Sequence, residues 1–160
     1  MTEHEQMQEQ IRAGLLEGLI QTVIQVFETM AWSRITYQGE QPRKHFVLAS
    51  QTCGLIGIRG ARDGLVGVAL DRHLGLEIVS RITGLPVPNI ELEDLADGIA
   101  ELANMICGGM KAKAGIHGLD LTPPLAVIGQ DATVHWKTAH PVRELTFMLD
   151  RDIIRVLVSI

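Results

Sequence analysis

Asp97-Gly98-Ile99-Ala100-Glu101-Leu102-Ala103-Asn104-Met105-Ile106-Cys107-Gly108-Gly109-Met110-Lys111-Ala112 is the stretch on which the reading of this chain turns. It lies in a proline-free run from about Glu91 to Ala114, followed by Gly115. At about 100° per residue, Leu92, Leu95, Ile99, Leu102, Ala103, Ile106 and Met110 fall on one side of a helix, which is the expected core face. Asp97, Glu101, Asn104, Gly108 and Lys111 fall opposite, in a stripe roughly 80° wide. Glu101 and Asn104, three residues apart, are neighbours on that surface, and Gly108 leaves no side chain to obstruct an approaching molecule. The stripe suits docking. Asparagine is a poorer helix former than glutamate, lysine or alanine, at a cost of about half a kcal/mol relative to alanine, which invites a reason for its place mid-helix. A Glu-x-x-Asn string nevertheless occurs by chance in many chains, and a solvated helix face is its plain alternative.

Outward from this helix, the N-terminal side carries a shorter helical pattern through Leu74, Ile78 and Ile82, with Asp71 as expected N-cap and Gly84 and Pro86 as stop signals. Before it, Leu55 to Arg59 and Leu65 to Leu70 read as strands joined across Asp63-Gly64 into a hairpin. Short runs at Ile35 to Tyr37 and Phe46 to Ser50 read as strands separated by a loop through Gly39 and Pro42. A first long amphipathic helix from about Gln6 to Met30 carries Ile11, Leu15, Leu19, Val23 and Phe27 on one face. Beyond Gly115, strand-like runs occupy Leu125 to Ile128, Thr133 to Lys137, Leu145 to Leu149 and Ile153 to Val158. This order predicts an α+β domain: two long helices and one shorter helix packed on a largely antiparallel sheet. Each half opens with a long helix and proceeds to strand hairpins, which hints at an internal duplication.

Composition narrows the function classes. The chain has 160 residues, 46% hydrophobic and 21% charged, enough for one domain, 1–160, with its own core. Fourteen basic against nineteen acidic residues leave a net charge of −5, and no basic run could track phosphates, so nucleic acid is not an expected partner. No apolar stretch approaches the about 20 residues a membrane span needs. The opening Glu3, Glu5 and Glu9 do not resemble a secretory signal, so a cytoplasmic location is expected.

Cys53 and Cys107 stand alone in apolar surroundings and read as buried thiols, with a single bridge between them left open. His135 and His140 match no metal-ligand spacing, and no metal site is expected. Gly108-Gly109-Met110-Lys111 looks superficially like a phosphate loop but lies inside the helix pattern and lacks the Gly-Lys-Ser/Thr ending. Ser50 and Cys53 lack a nucleophile elbow or a paired histidine.

The Asp97…Glu101…Asn104 string, with an acid four positions before the glutamate and the asparagine three after it, resembles the signature of the CheC/CheX/FliY family of chemotaxis phosphatases. The leading helix ending in Val26-Phe27-Glu28-Thr29-Met30, the hairpin, the Glu-x-x-Asn helix and the strand-rich C-terminus extend the resemblance over the whole chain, and the short, single-site layout is most similar to CheX. The resemblance implies that Asn104 orients a water in line with the phosphoaspartyl bond of a CheY-like receiver domain, and that Glu101 pairs with the receiver's active-site lysine. It implies further that the receiver brings its own Mg²⁺, so the chain carries no cofactor of its own. A neutral carboxamide can hold water as donor and acceptor without repelling an anionic phosphoryl group.

Asp97, Gly108 and Lys111 are then partner-docking positions, and Pro123 and Pro124 match the family's downstream proline at closer spacing. Glu17 is followed three positions on by Ile20, and Glu28 by Ala31, so the first helix holds no second site. The family also implies a homodimer; the strand-prone run Ile153 to Ile160 would be an aggregation-prone edge that a second subunit covers. The alternative of a different class is a noncatalytic adaptor module that binds a receiver or a flagellar switch component.

Overall fold

The computed structural model describes residues 1–130 and 132–160. Its elements are α1 (Glu3–Met30), β1 (Thr36–Arg43), β2 (Phe46–Ala49), β3 (Thr52–Gly60), β4 (Gly64–Leu70), α2 (Arg72–Thr83), α3 (Leu92–Ala114), β5 (Leu119–Leu121), β6 (Leu125–Ile128), β7 (Thr133–Trp136), β8 (Val142–Leu149) and β9 (Asp152–Ser159). A single 3-10 turn at Val87–Asn89 joins α2 to α3. This is the α+β domain expected from the sequence, and every described strand pairing is antiparallel.

The main sheet runs β1-β8-β9-β4-β3, with β5 and β6 both on the outer edge of β3, while β2 and β7 form a separate ribbon. Exchanging β1 with β6, β8 with β3 and β9 with β4 reverses this order and returns the same sheet. The ribbon pairs one strand from each half, and α1 packs on α3, so the topology has the two-fold pattern that a duplication would leave.

Strand alternation assigns the two faces. Ile56, Ile58, Val66, Val68, Phe147, Ile154, Val156 and Val158 point to the helices and join Leu15, Leu19, Phe27, Ile99 and Ile106 in the main core. Cys53, Leu55, Leu65, Ala69, Val142 and Leu157 point the other way, against Phe46 and Leu48 of the ribbon. Gly54 of β3 brings α3 down onto the sheet: a Cβ there would lie 2.8 Å from the Ala103 Cβ and from the Ile99 carbonyl oxygen. α1 begins with a reciprocal cap in which Thr2 Oγ1 accepts from the Glu5 N–H and the Glu5 carboxylate accepts from the Thr2 N–H.

Three expectations require correction. The chain does not loop out through Gly39 and Pro42, because β1 runs across both. Gly39, at φ +127, follows a bulge at Gln38, where the pairing steps from Tyr37–Phe147 to Gly39–Thr146. Pro42 is tolerated because β1 is an edge strand paired only with β8. Leu92 is 59% exposed rather than core, since it is the first residue of α3 and projects beyond the packed layer. Asp71 is the N-cap of α2 as expected, though its side chain makes no cap bond and Gln51 Oε1 accepts the Arg72 N–H at 2.9 Å. Finally, the run Ile153 to Ile160 is no open edge, because β9 lies between β8 and β4. The edge argument for a second subunit therefore falls, and the edges of the sheet are β1 at one side and β5 with β6 at the other.

One charged cluster secures the β1 edge. Glu144 of β8, 6% exposed, accepts from Arg43 Nε at 3.0 Å, Arg43 Nη2 at 2.9 Å and Gln41 Nε2 at 3.2 Å. Burial alone would raise its pKa, but these bonds and the charges of Arg43 and Arg155 hold it below the usual carboxylate range.

Candidate functional site

α3 presents the site because its other sides are occupied. Glu91 precedes it, with its N–H donating to Asp94 Oδ2 at 2.9 Å. Glu93 and Asp94 lie in its first turn and Lys111 and Lys113 in its last, complementing the helix dipole. Gly115, at φ +61, closes it with an N–H donated to the Lys111 carbonyl. Leu95, Ile99, Leu102, Ala103, Ile106 and Met110 are buried, as their spacing requires. The helix is seated by close approaches on several sides. A Cβ at Gly98 would lie 2.5 Å from Val79 Cγ2 of α2, and one at Gly109 would lie 2.4 Å from Thr22 Cγ2 of α1.

What remains open is the outer stripe. Asp97, Glu101, Asn104 and Gly108 are exposed and Lys111 is half-buried. Glu101 and Asn104 are about 4.5 Å apart along the helix axis. Among the described residues, none of the side chains of Asp97, Glu101, Asn104 and Lys111 takes part in a hydrogen bond or ion pair within 4 Å. An uncommitted carboxylate stands beside an uncommitted carboxamide with both a donor and an acceptor to offer. Beyond its chain neighbours and its own helix backbone, no atom lies within 4 Å of where a Gly108 Cβ would sit. The adjacent glycines thus divide the labour: Gly109 admits α1, and Gly108 keeps the outer face clear.

One feature beyond the stripe escaped the sequence reading. Gly115 turns the chain back so that Ile116 and His117 join Gly108, Lys111, Ala112 and Gly115 around a shallow hollow of about 310 Å³, continuous with the stripe. The only sequence signal was the helix-ending glycine, which marks a turn and does not say what the turn places where.

Other candidates carry less. Burial pushes the Cys53 and Cys107 thiols up to about 12, so at neutral pH neither supplies a thiolate nucleophile. Both are free. His140 is held below its ordinary value by burial and by the Arg62 charge, against the opposing pull of Asp63. Among the described residues, no group of three or more His, Cys, Asp or Glu side chains is placed to hold a metal ion. A hollow of about 550 Å³ between β3, β4 and the segment Trp136–His140 includes Pro123 but none of the stripe residues. No described helix is long and apolar enough to cross a membrane.

Comparison with known proteins agrees with this geometry. The family described as "Chemotaxis phosphatase CheX" matches residues 52–148, well over half the chain and the whole of α3. Among solved structures, a chemotaxis protein CheX from Desulfovibrio desulfuricans superposes with a TM-score of 0.81 at 20% identity, covering 91% of this chain and 97% of that one. A CheX from Vibrio vulnificus gives 0.78 at 26% identity, covering 91% and 97%. The CheX of a CheX-CheY-BeF3-Mg²⁺ complex from Borrelia burgdorferi gives 0.72 at 18% identity, covering 90% and 96%. No curated protein sequence matches this chain significantly. With its family pattern spanning the helix that carries Glu101 and Asn104, the chain belongs to the CheX family of chemotaxis phosphatases.

Proposed function

We propose that this chain hydrolyses the phosphoaspartate of a CheY-type response regulator, with Asn104 positioning the attacking water and Glu101 engaging the receiver's active-site lysine. The observation that carries the reading is the pair itself: a free carboxamide and a free carboxylate one turn apart, on a helix whose other sides are packed, in a chain of this family. The CheX-CheY complex of a relative supports a receiver as the partner.

In this reading the water oxygen attacks phosphorus while the bond from phosphorus to the aspartyl oxygen breaks, giving inorganic phosphate and free aspartate. Asn104 binds the water through its amide and adds no negative charge beside the phosphoryl oxygens; a carboxylate there would repel them. Glu101 holds the receiver in register by pairing with its lysine. Asp97 and Lys111 extend the contact along the helix, and Gly108 lets the receiver's backbone come close. The chemistry is positioning. Mg²⁺ belongs to the receiver's own acidic site, and the relative's complex, which contains Mg²⁺, accords with that assignment. The proposal includes a cytoplasmic setting, expected from the acidic opening Glu3, Glu5 and Glu9, and a homodimer, implied by the family.

The test is the lifetime of phosphate on CheY-like receivers of the same organism, with Mg²⁺, in the presence and absence of the chain. Faster loss is expected. Binding of a receiver with an unchanged lifetime would favour the adaptor reading.

A further inference from the structure

We propose that the hollow at the C-terminal end of α3 receives an acidic side chain of the receiver, so that the stripe reads its partner's orientation as well as its phosphoryl group. This rests on the proposed phosphatase reading and adds a specificity determinant to it.

The argument begins with the order of charge along α3: Asp97 and Glu101 are acidic, Asn104 and Gly108 uncharged, and Lys111 basic, with His117 beside it across the hollow. Lysines in a last helical turn ordinarily offset the helix dipole, and exposed Lys113 fits that role. Lys111 differs. It is half-buried, it lines the hollow with Gly108 and Gly115, neither of which meets an atom within 4 Å of its Cβ position beyond its chain neighbours and its own helix backbone, and its side chain is unpaired among the described residues. An ammonium with no counter-charge beside it gains from a carboxylate brought to it, through a charge-assisted bond. His117 can donate an N–H in either protonation state. In a chain of net charge −5, this hollow is a local exception that an acidic group can approach.

Geometry fixes where that acid must be. Lys111 follows Asn104 by seven residues, about 10 Å along the axis, and Glu101 precedes Asn104 by about 4.5 Å. The receiver therefore carries its acidic residue about 10 Å from the phosphoryl group, on the side away from its lysine. A receiver lacking it leaves Lys111 without a counter-charge, and one docking in the reverse sense meets like charges at both ends.

The experiment measures KM and kcat for dephosphorylation of the organism's CheY-like receivers by the wild type, Lys111→Arg and Lys111→Glu, with melting curves to confirm folding. Lys111→Glu is expected to raise KM roughly tenfold with kcat within about twofold. Lys111→Arg should retain most of the affinity, and the difference should shrink with salt. A receiver whose acid at that position is changed to lysine should restore KM with Lys111→Glu. An unchanged KM in folded Lys111→Glu overturns the inference while leaving the phosphatase reading intact. If the wild type binds receivers without hydrolysis, the phosphatase reading fails alone; affinity for BeF3-Mg²⁺-activated receivers then decides, with a roughly tenfold loss in Lys111→Glu supporting the hollow and unchanged affinity overturning it. A wild type that binds no receiver overturns both.

Discussion

The two long helices lie side by side in the same layer, yet the carboxylates near their middles, Glu17 on α1 and Glu101 on α3, are held differently. On α1, Glu17 accepts a hydrogen bond from Gln21 at 3.2 Å and Glu9 is paired with Arg12. On α3, Glu101 and Asn104 are both left uncommitted. A polar group satisfied within its own helix stabilises that helix slightly; one left unsatisfied at the surface is available to a partner at no cost of breaking an internal bond. In a fold whose topology is nearly two-fold, this difference sets α3, the helix proposed to meet the receiver, apart from α1.

The sharpest way to break the comparison is Asn104→Asp, nearly isosteric but charged. It should cut the dephosphorylation rate by on the order of 100-fold, read in single-turnover assays, with stability changed by less than about 0.5 kcal/mol because the position is exposed. Glu101→Gln comes next: losing the charge opposite the receiver's lysine should weaken receiver binding about tenfold, measured by titration.

The glycine pair separates docking from packing. Gly109→Ala must push against Thr22 and should cost about 1–2 kcal/mol in denaturant melts. Gly108→Ala should add up to about 1 kcal/mol of stability through helix propensity while raising KM for the receiver. Equal effects at the two positions would show that the face above Gly108 is not a docking surface.

The smallest effect concerns the β1 edge of the sheet. Glu144 has a folded pKa below its unfolded value, so it contributes stability that is present above about pH 4.3 and lost as pH falls through its folded value. Acid unfolding curves of Glu144→Gln should therefore flatten below about pH 5 relative to wild type.

Much of this was legible in the sequence, for identifiable reasons. The two long helices and the shorter one follow from apolar spacing and glycine stops, and the outer stripe from 100° arithmetic, because helical geometry is local. What pairs with what is not local. The extent of β1 was hidden because Gly39 and Pro42 are breakers in general and harmless on a bulged edge strand. β5, only three residues long, lacks enough alternation to register. The central place of β9 could not be read from a hydrophobic run, since a run states burial and not neighbours. At the site, Glu101 and Asn104 share a helix face and were found together, whereas His117 reaches the hollow through a turn and was missed.

The most direct measurement of the central claim compares phosphate lifetime on a responsive receiver with wild type, Asn104→Ala and Glu17→Ala in parallel, all verified as folded. The account predicts that Glu17→Ala accelerates loss as the wild type does and that Asn104→Ala leaves the receiver at its intrinsic lifetime. Full acceleration by folded Asn104→Ala would contradict it.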